Sequence, residues 1–346
     1  MVKPFKEGGV KLTTHNPKLV STELSLLWTT YIQDSSARCM IQHFQSTQTD
    51  SDLEPILSYA LECSNNHIRQ ISELFNKENL PIPKGFNDMD WNSKAEKLFP
   101  DIYMYRFLEH MSRAGLTNYA FGKSTVYRKD IRELADEWLQ QSNHLYNLII
   151  DTTTSKGILV RSPSIAYPTD VEFVQKAHPL SQGFLDKERP LLGVEIAHLG
   201  TNIEASFTVG SALLAYSQVA KEKKVRDIFY RGHGIAKKHA DVFSSILRKE
   251  DIHAPSDWDS SLTGSTTPPF TDALMLNNVA SMISIGISSY GTAIGATLRK
   301  DITLHYSRLL VELGKYAEDL AELMIKYGWL EKPPQIINRK ELVKNH

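Results

Sequence analysis

Apolar side chains recur every three to four residues over eight stretches of this chain, 19–46, 53–78, 101–127, 130–155, 189–218, 221–250, 271–298 and 301–327. That period places them on one face of a helix, so the pattern predicts eight amphipathic helices and an all-α protein. The polar connections between them differ in kind. Helices one and two are separated by "STQTDSD" (46–52), and helices three and four by a few residues around "RKD". Helices two and three are separated by "NLPIPKGFNDMDWNSKAEKLFP", whose Pro, Gly, Asn and Asp content predicts a long irregular crossover.

The last four stretches repeat the first four. The tetrapeptide RKDI occurs in "VYRKDIRELADEWL" (126–139) and again, 171 positions later, in "TLRKDITLHYSRLL" (297–310). At that offset Asp101, Met104, Met111, Gly115, Tyr119, Gly157 and Pro163 fall on Asp272, Met275, Met282, Gly286, Tyr290, Gly328 and Pro334. Upstream the offset is 172, and Glu23, His67, Lys77, Glu78 and Pro83 fall on Glu195, His239, Lys249, Glu250 and Pro255. Such self-similarity marks a tandem duplication. Asp130 and Asp301, inside RKDI, are expected to cap the fourth helix of each copy. Glu23 with Lys77, and Glu195 with Lys249, are expected to form one inter-helix ion pair per copy.

Two short loops flanking one long crossover describe a ferritin-like four-helix bundle. The expected organisation is therefore a first ferritin-like bundle over 1–165, a linker over 166–187, a second ferritin-like bundle over 188–334 and a charged tail over 335–346. With 346 residues, each half is near 170, long enough to bury roughly 70% of its unfolded surface without metal or disulfide staples.

Charge and cysteine usage narrow the function. A formal net charge of −1, with no basic run interleaved with aromatics, argues against a nucleic-acid partner. The N-terminal stretch lacks the apolar core of a secretory signal, and Cys39 and Cys63 are the two cysteines, which together predict a reducing, cytoplasmic setting with buried thiols. The segment 273–298 carries no charged residue, yet its counterpart in the first copy carries Arg106, Glu109, Arg113 and Lys123. We therefore expect no membrane span. A stripe of small residues on that helix (Ala280, Ser284, Ser288, Thr292, Ala296) predicts close packing on nearly all sides, against the other bundle, a second subunit or its own bundle.

A bundle of this kind can house a di-iron centre only if a Glu stands on each of two helices and a Glu-x-x-His on each of the other two. Here Ser64 precedes His67, Ala236 precedes His239, Gln141 precedes His144, and Glu312 precedes Lys315. Turn-counting puts Thr30 or Asn202 level with the second-helix histidine, and 111–118 and 282–289 offer no acid. No complete di-iron site is expected. Glu195, His198 and His239, or His67 with His144, remain candidate ligands for a single iron, manganese or zinc ion. The bland alternative is that His67 and His239 are core imidazoles bonded to a neighbouring hydroxyl or amide.

The stretch "LRKDITLHYSRLLVELGKYAEDLAELMIKYGWLEKPP" (298–334) resembles a bacterial, Bacillus-type family of tandem ferritin-like domains without assigned function. That family is similar to the spore coat protein F group, whose last helix ends in a comparable Gly-Trp and proline motif, here Gly328, Trp329 and Pro333. Leu330 departs from that group's aromatic. The resemblance implies a non-enzymatic structural or interaction protein associated with sporulation or the spore coat, with further copies of itself or coat proteins as partners. The alternative is a metal-binding protein or oxidoreductase with a non-standard His/Glu site in one bundle.

Overall fold

A computed structural model describes residues 17–171, 173, 189–255, 259–339 and 343. Among them eight α-helices form: α1 (Ser21–Thr47), α2 (Leu53–Lys77), α3 (Asp101–Thr125), α4 (Lys129–Ser155), α5 (Gly193–Val219), α6 (Lys223–Lys249), α7 (Asp272–Ala296) and α8 (Lys300–Lys326). The described residues contain no strand, only an isolated bridge between Trp91 and Phe270. Every helix lies within a few residues of its expected span. Most of the 166–187 linker and part of the 335–346 tail lie outside the described residues.

Polar contacts at the helix ends set the directions. Thr49 donates to Asp101, and Lys156 pairs with Asp50 and Asp52, so the end of α1, the start of α2, the start of α3 and the end of α4 share one pole. The start of α1, the end of α2, and the α3–α4 turn meet at the other. The crossover 78–100 therefore runs the full length of the bundle. The second copy repeats the arrangement, with Asp272 accepting from Lys221 and Glu222 N–H at 3.0 and 2.7 Å. The chain is a duplicated four-helix bundle.

RKDI is the lock at that second pole. Arg128 is buried, and its guanidinium forks onto Asp130 (3.0 and 2.5 Å) while reaching Glu78 at 2.7 Å. Arg299 repeats this with Asp301 (3.1 and 2.7 Å) and Glu250 (2.9 Å). Planar two-point pairing of this kind suits arginine and not lysine. The aspartates thus do not cap α4 and α8; Arg128 and Arg299 hold the cap position, and each aspartate sits two residues in, holding its own arginine. The expected Glu–Lys pairs are also replaced. Glu23 turns its carboxylate to the N–H groups of Val20, Tyr127 and Arg128, and Glu195 to those of Leu192, Leu298 and Arg299 and to the Arg189 guanidinium. Both glutamates are buried, where backbone donors otherwise lacking partners outcompete a solvated lysine.

The repeated glycines have a separate cause. Gly157 and Gly328 follow α4 and α8 with φ of +68° and +70°. Ile158 and Trp329 then donate back to Thr153 and Met324, closing a left-handed C-cap that residues with a Cβ adopt poorly.

The two bundles share one continuous core. Helix α1 meets α7 and α3 meets α5, a reciprocal pattern that a two-fold relation between the repeats requires. At the junction Phe99 stacks on Tyr103 at 4.2 Å and stands edge-on to Tyr216 at 5.8 Å, while Phe44 meets Phe107 at 5.2 Å. The crossovers pair directly as well, Asn92 N–H with Pro269 O at 2.8 Å and Thr271 N–H with Asp90 O at 2.9 Å. Burying these rings removes a large apolar area from water, which holds the halves as one body.

Helix α7 is long and apolar enough to cross a membrane by length and composition, with mean hydropathy 1.3. Its sides are not all covered, contrary to expectation. Leu274, Met275, Leu276, Val279, Met282 and Ile283 are buried, but Ser284, Ser288, Gly291, Thr292 and Gly295 are exposed. Ser284, Ser288 and Thr292 of the small-residue stripe face an opening between the bundles, while Ala280 packs against the core. Cys39 and Cys63 are unpaired and buried, and burial pushes both thiols up to about 11.

Candidate functional site

Beyond the aromatic junction the two bundles diverge, and the outer halves of α1, α3, α5 and α7 enclose a cleft of about 1230 Å³. Its walls are repeats of each other. Ser25, Thr29 and Gln33 of α1 correspond to Ala197, Thr201 and Ala205 of α5, and Thr117 and Phe121 of α3 correspond to Ser288 and Thr292 of α7. Several wall hydroxyls turn back onto their own helix: Thr117 to Arg113 O, Thr208 to Glu204 O and Thr292 to Ser288 O, at 3.0–3.1 Å. A hydroxyl bonded this way presents its carbon atoms to the cleft.

A histidine stands at the inner wall of the cleft in each bundle. In the first, His67 Nδ1 lies 2.9 Å from Asp34 and its Nε2 lies 2.6 Å from Gln141 Oε1; Ser64 donates to the other Asp34 oxygen at 2.9 Å. Gln141 donates its own N–H to Glu137, which fixes the amide so that oxygen faces the ring. Both ring nitrogens therefore meet acceptors and both must donate. His67 is an imidazolium. Burial opposes that charge, but Asp34 and the hydrogen bonds outweigh it and raise the pKa.

In the second bundle His239 Nε2 lies 2.9 Å from Glu312 and Nδ1 lies 3.0 Å from the Tyr290 hydroxyl. The carboxylate accepts and the hydroxyl can donate, so one proton suffices. His239 is neutral. Burial dominates over Glu312 and lowers its pKa. Duplication preserved the imidazole but moved its carboxylate from the first helix (Asp34, opposite Ser206) to the fourth (Glu312, opposite Gln141).

The expected hydroxyl and amide partners are thus present, and a carboxylate accompanies each. Asp34 escaped the sequence reading, which looked one turn earlier at Thr30. Its signal was available as the acidic residue on an otherwise uncharged stretch of helix one. Tyr119, one residue beyond the window inspected on helix three, has its ring 5.9 Å from His67.

The proposed metal ligands do not assemble. Among the described residues no group of three or more His, Cys, Asp or Glu side chains is placed to hold an ion. Glu195 is fastened to the α7–α8 turn by Arg189 and backbone N–H groups, and His198, one turn on, lies in the cleft wall. His239 is held by Tyr290 and Glu312. His144 is exposed on the outside of α4, its ring edge-on to Tyr59 at 4.9 Å, away from His67. The physical reason is that Glu195 serves the pole of the bundle and His239 its middle.

At the closed end of the cleft charges are matched. Arg106 pairs with Glu109 at 2.7 Å, and Arg113 with Glu109 at 2.6 Å and with Glu204 at 3.9 Å. Burial pushes the Glu204 carboxyl up to about 7 despite Arg106 and Arg113. The Nε2 of His110, beside Arg113, is buried without a hydrogen-bond partner.

Comparison with known proteins agrees with the duplication. The model of a family described as a protein of unknown function, DUF3231, matches the chain twice, over residues 7–171 and 181–342. Among solved structures, a protein described as a candidate spore coat protein from Bacillus halodurans C-125 is similar at 15% identity, with a TM-score of 0.39; the match covers 44% of this chain and 98% of that one. No curated protein matches.

Proposed function

The chain belongs to that DUF3231 family, whose description names no activity, and we propose that it is a non-enzymatic binding protein that receives a ligand in the cleft between its repeats. One observation carries this reading. The two repeated histidines have each ring nitrogen engaged, His67 by Asp34 and Gln141 and His239 by Tyr290 and Glu312, so neither of this pair offers a lone pair or a spare proton to a bound molecule. Asp34 and Glu312 are occupied in the same way. What is left to a ligand is a large concave surface built from both repeats, the usual form of a binding site. The ferritin-like scaffold serves here to hold two bundles apart at one end, not to hold ions.

The reading includes an association with sporulation, which the similarity of the α8 ending to the coat protein F group implies. Antibody detection in purified spores against vegetative cells tests that part. Metal analysis of protein purified without chelators tests the rest: no stoichiometric iron, manganese or zinc is expected. A bound ion that His239→Ala releases would overturn the proposal in favour of a metalloprotein.

A further inference from the structure

The cleft walls contain much information about what fits between them, and the following rests on the binding role proposed above. Charge is the first filter. Apart from Glu204, whose contact with Arg113 is long at 3.9 Å, the ionic side chains at the cleft are matched with one another: Asp34 with His67, and Arg106 and Arg113 with Glu109. An anion entering this space would leave its hydration shell and meet no free positive charge to replace it, and a cation would meet Glu204 alone with Arg113 close by, which makes either unfavourable. A neutral one has no such cost.

Shape is the second filter. The wall of α1 runs from Ser21 to Ala37 and that of α7 from Asn278 to Thr292, roughly 24 and 21 Å at about 1.5 Å per residue. Most of the lining along this length is small or apolar, Gln33, Asp34 and Asn278 excepted, and Thr292 turns its hydroxyl back onto its own helix and presents carbon. The volume of about 1230 Å³ lies above the roughly 300–1,000 Å³ common for compact ligands. An extended molecule matches it.

Polarity at one end is the third filter. The buried Nε2 of His110 has no partner, and the Glu204 carboxyl has Arg113 only at 3.9 Å. A buried polar atom without a partner is costly, so an incoming hydrogen-bonding group at that point gains more than it would elsewhere. The other end of the cleft has no equivalent pair, since Ser281 and Ile32 stand where the repeats of His110 and Glu204 fall.

We infer that the cleft binds an uncharged, elongated amphipathic molecule of the fatty-alcohol type, its alkyl chain between α1 and α7 and its neutral head against His110 and Glu204.

Three ten-carbon probes separate the terms: decanol, decanoate and decylamine, titrated at neutral pH by displacement of the neutral fluorophore N-phenyl-1-naphthylamine. Each is measured on the wild type, on Ser288→Trp, which fills the cleft from an exposed wall position, and on His110→Leu. Thr29→Trp fills the cleft from the opposite wall and replaces Ser288→Trp should that variant lose its helical circular dichroism. Expected are decanol binding at least about tenfold tighter than either charged probe, loss of all binding in the filled variant, and selective weakening of decanol in His110→Leu. Charged probes that bind as tightly as decanol, and are lost in the filled variant, would overturn the ligand class while leaving the cleft as a binding site. A wild type that binds neither fluorophore nor probe, or binding indifferent to both filling variants, would overturn the binding role itself.

Discussion

Replacing Arg299 by Met removes the cation at the centre of the second RKDI lock while keeping most of its volume. The side chain is 1% exposed and holds Asp301 through two hydrogen bonds, Glu250 through one, and the Arg189 carbonyl at 3.0 Å. Its loss strands two carboxylates whose side chains are 15% and 23% exposed. Breaking a buried pair by removing one partner costs about 3–5 kcal/mol, and the residual water access of Glu250 sets this site at the lower end, about 3 kcal/mol. At about 2.1 cal/mol/K per residue, 346 residues give an unfolding entropy of about 0.7 kcal/mol/K, so the expected fall in Tm is about 4 °C. Urea unfolding followed by far-ultraviolet circular dichroism measures it. Arg299→Lys, which keeps the charge but not the fork, should fall between. Adding Glu250→Gln to Arg299→Met should recover part of the loss, because an amide is less costly to strand than a carboxylate. Asp227→Asn, in an exposed pair with Lys223, should change stability by at most about 0.5 kcal/mol. An Arg299→Met protein within about 1 kcal/mol of the wild type would refute the view that this arginine clamps α6 to the α7–α8 turn.

Other expectations follow from the buried histidines and one glycine. His67 and His239 should titrate on opposite sides of the usual value near 6.5 in imidazole NMR, His67 above and His239 below. In linkage terms His67 contributes stability that is full below about pH 6.5 and is lost as pH rises through its raised pKa, whereas the contribution of His239 is full above about pH 6.5 and is lost on acidification; matching titrations would refute the opposite charge states. His43 is fully buried, edge-on to Phe270, with neither ring nitrogen partnered, and burial lowers it to about 4. Its neutral form is preferred in the fold, so about 3 kcal/mol should be lost as pH falls from about 6.5 to 4, and His43→Phe should move the acid-unfolding midpoint lower. Gly232→Ala should cost about 1–3 kcal/mol in urea unfolding, since the new methyl would overlap the buried Tyr316 hydroxyl that donates to Ile228 O.

The duplication shows how far local information reaches. Helix spans, the short and long connections, and the equivalence of the two copies were all legible, because apolar period and turn composition are properties of neighbouring residues. The repeated Glu23, Glu78, Arg128 and Asp130 were also legible as a set, but their pairing was not. Counting turns put Glu23 beside Lys77, whereas burial gave it to backbone N–H groups that no sequence pattern displays. The histidine nodes divide in the same way. His67 and His239 stood out as a repeated pair, yet Asp34 and Glu312, which set their charges, lie on non-equivalent helices and so had no repeat to announce them.

By itself, then, the sequence determined eight helices and their copying, since each depends on residue identity along one helix or its turn. Only the tertiary structure decided that Glu195, His198 and His239 do not converge, that the small residues of α7 face a cleft, and that this cleft is shared by both copies. Those outcomes depend on which faces of α1, α3, α5 and α7 meet and where they part. The aromatic contact between Phe99, Tyr103 and Tyr216 joins segments more than a hundred positions apart, and its position along the helices sets where the opening begins.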